Sequence, residues 1–167
     1  MGRADITEKA DAIVRVHAGF VWRILSHLGV PANQLELTSQ RVLISVHRRL
    51  GEFRGETSIT TWIYGICRTL AAELRHERPP TRETKTEQPA CLPLTQRLHR
   101  ALQGLSEPTR MVFVLFEIEC LPMKEVAAAV GCSQARAYTW LYGAREHLRR
   151  SLLRPSNSDR VSRISPA

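Results

Sequence analysis

The stretch MKEVAAAVGCSQARAYTWLYGAREHLRR, Met123 to Arg150, decides the fold. Val126, Ala127 and Val130 recur at helical spacing and make one apolar face. Gly131 follows at once and supplies the left-handed residue that stops such a helix. Cys132 can point inward. Ser133 is a good N-cap for a second helix, because its hydroxyl can accept from an amide of the first turn. In that second helix Ala137, Leu141, Ala144 and Leu148 return every three or four residues on one side. The other side therefore faces out, with Ser133, Gln134, Ala135, Tyr138 and Thr139 early on it. A short helix, a tight glycine turn and a second helix of this kind make a helix-turn-helix, the geometry that lays a recognition helix in a major groove.

The same pattern would fit a plain helical hairpin whose Arg145, Arg149, Arg150 and Arg154 form a solvated face. Charge favours the nucleic-acid reading. The chain has 24 Lys and Arg against 16 Asp and Glu, a formal net charge of +8, and the arginine run follows directly on the candidate recognition helix. A basic face beside a helix-turn-helix is the footprint of a protein that meets phosphates.

Outward from this stretch the chain is helical. Asp5 with Glu8 resembles a capping box, and Ala10, Ile13, Val14, Phe20, Val21, Ile24, Leu25 and Leu28 mark a long amphipathic helix that Gly29 and Pro31 end. Asn33 can cap a second helix with Leu35, Val42, Leu43, Val46 and Leu50 inward, closed by Gly51. After the loop Glu52 to Ser58, Thr57 or Ser58 can cap a third, with Ile59, Trp62, Ile63, Ile66, Leu70 and Leu74 on one face. Between 79 and 89 the sequence PPTRETKTEQP has three prolines, alternating charges and no apolar residue, as a linker does. About 15 such residues span at most roughly 50 Å, so the halves on either side could reach separate surfaces of one partner. Leu94, Leu98, Ala101, Leu102 and Leu105 then suggest a short helix, and Ser106 with Pro108 opens another that carries Met111, Val112, Leu115 and Phe116.

The expected fold class is all-α: two small helical modules joined by a flexible linker, the second containing the helix-turn-helix. The boundaries read 5–78 for the first module, 79–94 for the linker, 95–153 for the second module and 154–167 for a frayed Ser-, Arg- and Pro-rich tail.

Composition excludes several classes. The sequence has no run of about 18 apolar residues and its start is charged, so neither membrane insertion nor secretion is expected, and a cytoplasmic location is. The four cysteines, Cys67, Cys91, Cys120 and Cys132, have no metal-ligand spacing and read as small buried hydrophobes. With no GxSxG, P-loop, HExxH or Gly-rich phosphate cradle, the chain is not expected to be an enzyme, and no cofactor or metal is expected.

Together the two modules resemble the extracytoplasmic-function (ECF) class of bacterial RNA polymerase sigma factors, over about residues 10 to 152. Phe53-Arg54-Gly55, then Thr61-Trp62-Ile63, Ile66 and Arg68, is similar to that family's FRG…TW(L/I)xxIxR signature, and Gln40 and Val42 match the helix before it. Leu105, Arg110, Val126, Ala127, Gly131, Ser133, Leu141, Ala144, Arg145 and Leu148 match the second module, and the order of the two across a polar linker makes the likeness specific. The resemblance implies a factor that binds core RNA polymerase and promoter DNA, with an anti-sigma factor as a further partner. It places the first module, region 2-like, on polymerase and the minus-ten element, and the second, region 4-like, on the minus-thirty-five element. It implies polymerase binding through Leu37, Gln40, Arg41 and Val46. It implies DNA binding through Arg54, Thr61, Trp62 and Arg68 in the first module and Ser133, Gln134, Arg136, Tyr138, Thr139, Tyr142 and Arg145 in the second. Trp62 lies one turn before Ile66, where core packing competes with base stacking.

Several positions depart from the family pattern. Leu37 stands where an acid is usual, Arg41 replaces a Glu, and Leu43 a Phe. Thr60 and Thr69 replace a basic residue and an Asn, while Tyr138, Trp140 and Gly143 lie where Lys or Arg is usual. These departures keep two other functions open: a divergent sigma-like protein acting through protein contacts, and a stand-alone helix-turn-helix regulator.

Overall fold

A computed structural model describes residues 3–77 and 94–153, and of residues 3–7 the backbone alone. The expected linker, apart from Leu94, and the expected tail lie outside the described residues, as does Cys91. Among these residues seven α-helices follow one another: α1 (Arg3–His27), α2 (Ala32–Arg49), α3 (Ile59–Glu77), α4 (Leu94–Gln103), α5 (Glu107–Phe113), α6 (Met123–Val130) and α7 (Gln134–Leu153). The described residues contain no strand, so the fold is all-α.

Helices α1, α2 and α3 pack on one another. Their contact faces carry expected periodic residues, Phe20, Val21, Ile24, Leu25 and Leu28 from α1, Leu35, Val42 and Val46 from α2, and Ile63 and Ile66 from α3, with Cys67 and Ala71 buried beside them and Ile59, Trp62, Leu70 and Leu74 partly buried against the core. Each of the Val, Leu, Ile and Phe side chains taken fully out of water contributes about 1.5–3 kcal/mol. Local details differ from the expectation. The first helix begins at Arg3, so Asp5 lies inside its first turn rather than before it. Pro31, not Asn33, is the residue before α2; its φ of −60° and ψ of 145° suit a proline at a helix entrance. Gly29 ends α1 with φ 84°, and Ser58 caps α3, its Oγ accepting from the Thr61 amide at 3.2 Å.

The second half is built around α7, against which α4, α5 and α6 all pack. Gly131 takes φ 80°, ψ 43°, and its amide bonds back to the Ala127 carbonyl, ending α6 as expected. Ser133 Oγ accepts from the Arg136 amide at 3.3 Å. Ala137, Leu141, Ala144 and Leu148 are the buried stripe of α7. Helix α5 does not stop after its first turns but widens into a π turn over Val114–Ile118. Beyond it Cys120 has φ 55° and is exposed, which corrects its reading as a buried hydrophobe: it belongs to the turn, not to a helix face.

The core does not stop at the expected boundary between the halves. One continuous apolar cluster joins Val21, Ile24 and Ile63 of the first half to Met111, Leu115, Met123 and Val126 of the second, through the contact of α3 with α6. Polar contacts border this junction. Arg23 on α1 makes a two-pronged ion pair with Glu119, at 2.7 and 2.8 Å, Arg75 on α3 pairs with Glu107, and the His27 and His99 rings lie 6.1 Å apart. No described helix is long and apolar enough to cross a membrane.

Candidate nucleic-acid interface

Three surfaces hold the residues expected to act. The outward face of α7 is the first. Ser133, Gln134, Arg136, Tyr138, Thr139, Tyr142 and Arg145 are all exposed, because Ala137, Leu141 and Ala144 turn the opposite side of the helix into the core. Tyr138 and Tyr142, one turn apart, are 42% and 63% exposed, enough to offer ring edges to a partner. Trp140 is half-buried against the core.

The cations of this helix are engaged within the chain. Arg145 donates from Nε to Glu117 at 2.8 Å and lies 5.8 Å from the Tyr142 ring centre. Arg136 lies 5.8 Å from the Trp140 ring centre, within reach of a cation–π attraction. Arg149 and Arg150 both donate to Glu146, at 2.9 and 2.6 Å, and these bonds hold its carboxyl down at about 2. Helix α7 thus carries aromatic and hydroxyl groups in the open and guanidinium groups on an internal leash.

The second surface is the loop before α3. Gly55, at φ 73°, lets the chain turn there, and Glu52, Phe53, Arg54, Glu56, Thr57 and Trp62 line an open concavity of 360 Å³. Phe53 and Trp62 meet with ring centres 5.4 Å apart, so Trp62 is a half-buried wall of this concavity and also packs on the core. Arg54 and Arg68 are exposed. Thr61 corrects the expectation: it is only 7% exposed, and its hydroxyl donates to Glu125 of α6 at 3.0 Å. The helix-turn-helix covers it.

The third surface is the outer stripe of α2. Leu37 is 63% exposed, and Gln40 and Arg41 stand beside it on the surface. Val46 does not belong here. It is fully buried one turn after Val42, inside the core, and corrects the expectation that it contacts a partner. Ile44, 52% exposed two turns after Leu37, takes its place on the stripe, and that seven-residue spacing was present in the sequence.

Sequence reasoning missed four residues that hold these surfaces: Arg23, Glu117, Glu119 and Glu125. Their partners lie 28 to 96 residues away, so no local pattern could mark them. It also missed the burial of Arg110, 8% exposed, whose Nη1 donates to Gln103 at 2.8 Å and whose Nε has no hydrogen-bond partner. Burial lowers the Arg110 pKa, and beside it the His27 imidazole is pushed down to about 4, by burial first and then by the charges of His99 and Arg110. Among the described residues, no group of three or more His, Cys, Asp or Glu is placed to hold a metal ion.

Known proteins share this arrangement. The family described as Sigma-70, region 4 matches residues 95–148, from α4 through most of α7. The ECF RNA polymerase sigma-E factor of Escherichia coli K12 is 26% identical over 139 residues, which cover 70% of this chain and 73% of that protein. The RNA polymerase sigma-H factor of Pseudomonas aeruginosa is 24% identical over 143 residues, 72% of this chain and 74% of that one. In fold, the sigma factor RpoE of Bartonella quintana, solved in complex with the anti-sigma factor NepR, superposes with a TM-score of 0.71 at 17% identity, over 87% of this chain and 97% of that chain. CnrH, solved in complex with the cytosolic domain of CnrY, gives 0.67 at 21% identity, over 86% of each chain. The helix-turn-helix half thus matches the Sigma-70, region 4 family, and the chain is similar in sequence to extracytoplasmic-function RNA polymerase sigma factors.

Proposed function

We propose that the chain is a promoter-specificity factor, which binds core RNA polymerase and directs it to start transcription at a small set of promoters. The observation that carries this reading is the recognition helix. The outer face of α7 is fully presented while its inner face is locked into the core, which is what a helix needs to enter a major groove. In the same reading the outer stripe of α2, with Leu37, Gln40, Arg41 and Ile44, docks on polymerase. The concavity between Phe53 and Trp62, with Arg54 in its lining, meets the minus-ten element together with the exposed Arg68 of α3. The first module then spans 5–78 and the second 95–153, with an anti-sigma factor as a further partner that restrains them. The chain acts by binding and carries no catalytic step.

The test is run-off transcription with core RNA polymerase from the same organism on a genomic promoter library, with and without the protein. New start sites are expected, sharing one pair of promoter elements. Should Gln40→Ala and Leu37→Glu both leave polymerase binding unchanged, α2 is not the docking face.

The exposed pair Tyr138 and Tyr142, beside arginines already engaged by internal acids, supports a second reading in which this face meets a protein. Co-migration with polymerase and no new starts would select it.

A further inference from the structure

The outward row of α7 is poor in free hydrogen-bond donors. Ala135, Thr139 and Gly143 follow one another at four-residue spacing, on the side away from the buried Ala137, Leu141 and Ala144. Ala135 offers a methyl. Thr139 donates its hydroxyl proton to the Ala135 carbonyl at 3.1 Å, which leaves its methyl and its lone pairs for a partner. Gly143 has no side chain, and nothing lies within 4 Å of where one would begin. Tyr138 and Tyr142, 42% and 63% exposed, stand beside this row with their ring edges.

The donors lie at its margins. Gln134, exposed in the first turn, carries an amide that both donates and accepts. Arg136 is drawn over the Trp140 ring, and Arg145 is bound to Glu117. Arg149 and Arg150 share the carboxylate of Glu146, which stands about three turns after Ala135 with 41% of its side chain accessible. That acid repels phosphates, so the stretch fitted to enter a groove runs from Gln134 to Gly143.

In the major groove guanine shows two acceptors, N7 and O6, and is read by a pair of donors, most often one guanidinium. Adenine shows one acceptor and one donor, which a side-chain amide matches, and thymine adds a methyl. A face with one amide, two methyls, two aromatic rings and its guanidinium groups engaged at the margins fits adenine and thymine. A tyrosine hydroxyl can donate to guanine only once, so it cannot replace a guanidinium there. We infer that α7 reads an A·T-rich minus-thirty-five element: Gln134 pairs with an adenine, Ala135, Tyr138, Thr139 and Tyr142 pack on thymine methyls, and the arginines of α7 meet phosphates. The inference rests on the reading of the chain as a promoter-specificity factor and names the class of sequence that it selects.

In the test, the chain in complex with core RNA polymerase is offered a pool of randomised duplexes, and the DNA it retains is sequenced. The enriched motif is expected to include an A·T tract that Gln134→Ala and Tyr138→Ala alter, which marks the tract as the part read by α7. Gln134→Ala should relax the preference at one A·T position roughly tenfold. Replacing thymine by uracil in the tract removes methyls alone and leaves the protein untouched; each methyl that meets α7 should cost about fourfold in affinity. A G·C pair at the strongest position that these substitutions alter overturns the inference and leaves promoter recognition standing. So does a tract that binds equally well with uracil, or a motif that neither substitution changes. The absence of any enriched motif also overturns it, and the promoter reading falls with it only where run-off transcription gives no new starts.

Discussion

Removing Glu117 tests whether the arginines of α7 are held back from DNA. Arg145 and Glu117 leave 47% and 32% of their side chains in solvent, and pairs this exposed contribute about 0.2–1 kcal/mol. A DNA phosphate can compete with a restraint of that size, but not for free. In Glu117→Gln the charge that anchors Arg145 is gone while the side-chain shape is kept, and the guanidinium can turn to a phosphate. Each additional phosphate contact steepens the fall of log affinity with log salt by about 0.9. Between 50 and 200 mM salt, about 0.6 log unit, one contact therefore adds roughly half a log unit, a further three- to fourfold loss. The assay is a salt titration of promoter binding by the chain in complex with core polymerase, wild type against Glu117→Gln. Contacts made by polymerase are common to both and cancel in the difference. Glu117→Gln should bind tighter than wild type at 50 mM and converge on it at 200 mM. Equal slopes would mean that Arg145 makes no phosphate contact or already makes it beside Glu117, and the idea of leashed cations would fall.

Gly131→Ala should lower stability by about 1–2 kcal/mol in urea unfolding, from its positive φ alone, since nothing lies within 4 Å of the added methyl. Leu115→Ala should lose about 2–5 kcal/mol, and because the core is continuous across both halves the loss should displace one cooperative transition rather than split it. His27 titrates at about 4 in the folded chain against 6.5 for a free imidazole, so below pH 6.5 the unfolded chain binds the extra proton. The stability associated with neutral His27 should thus be complete above about 6.5 and fall as pH drops toward 4, and His27→Gln should flatten the unfolding midpoint over that window.

The helix-turn-helix was legible residue by residue. Ala137, Leu141, Ala144 and Leu148 repeat at helical spacing over about three turns, and Gly131 stands where only a left-handed residue serves; short-range rules reach both. Val46 was legible too, because it shares a face with Val42, and its place on the docking stripe overlooked that spacing. Thr61 is a different case. Its hydroxyl is spoken for by an acid 64 residues later, and nothing near Thr61 in the chain records that. The same holds for Arg23, matched to Glu119 across 96 residues. Secondary structure and the inward stripes are local facts, while the junction is made of pairs that only the folded chain brings together. The overhang of α5 into a π turn has no sequence mark either: VFVLFEI reads as uninterrupted helix.

That turn makes the chain unusually intolerant of added length. Glu117 and Glu119 lie on either side of its exit, and they reach in different directions, one to α7 and the other to the first helix of the chain. Both bonds depend on the one extra residue that the wide turn accommodates. Inserting a further residue between Val114 and Ile118, where the turn already holds one extra, would rotate everything after it by about 100°. No substitution of either glutamate would do as much, for the insertion would unhook α7 and the first helix together, so insertions in this segment should be rejected where most point changes are tolerated.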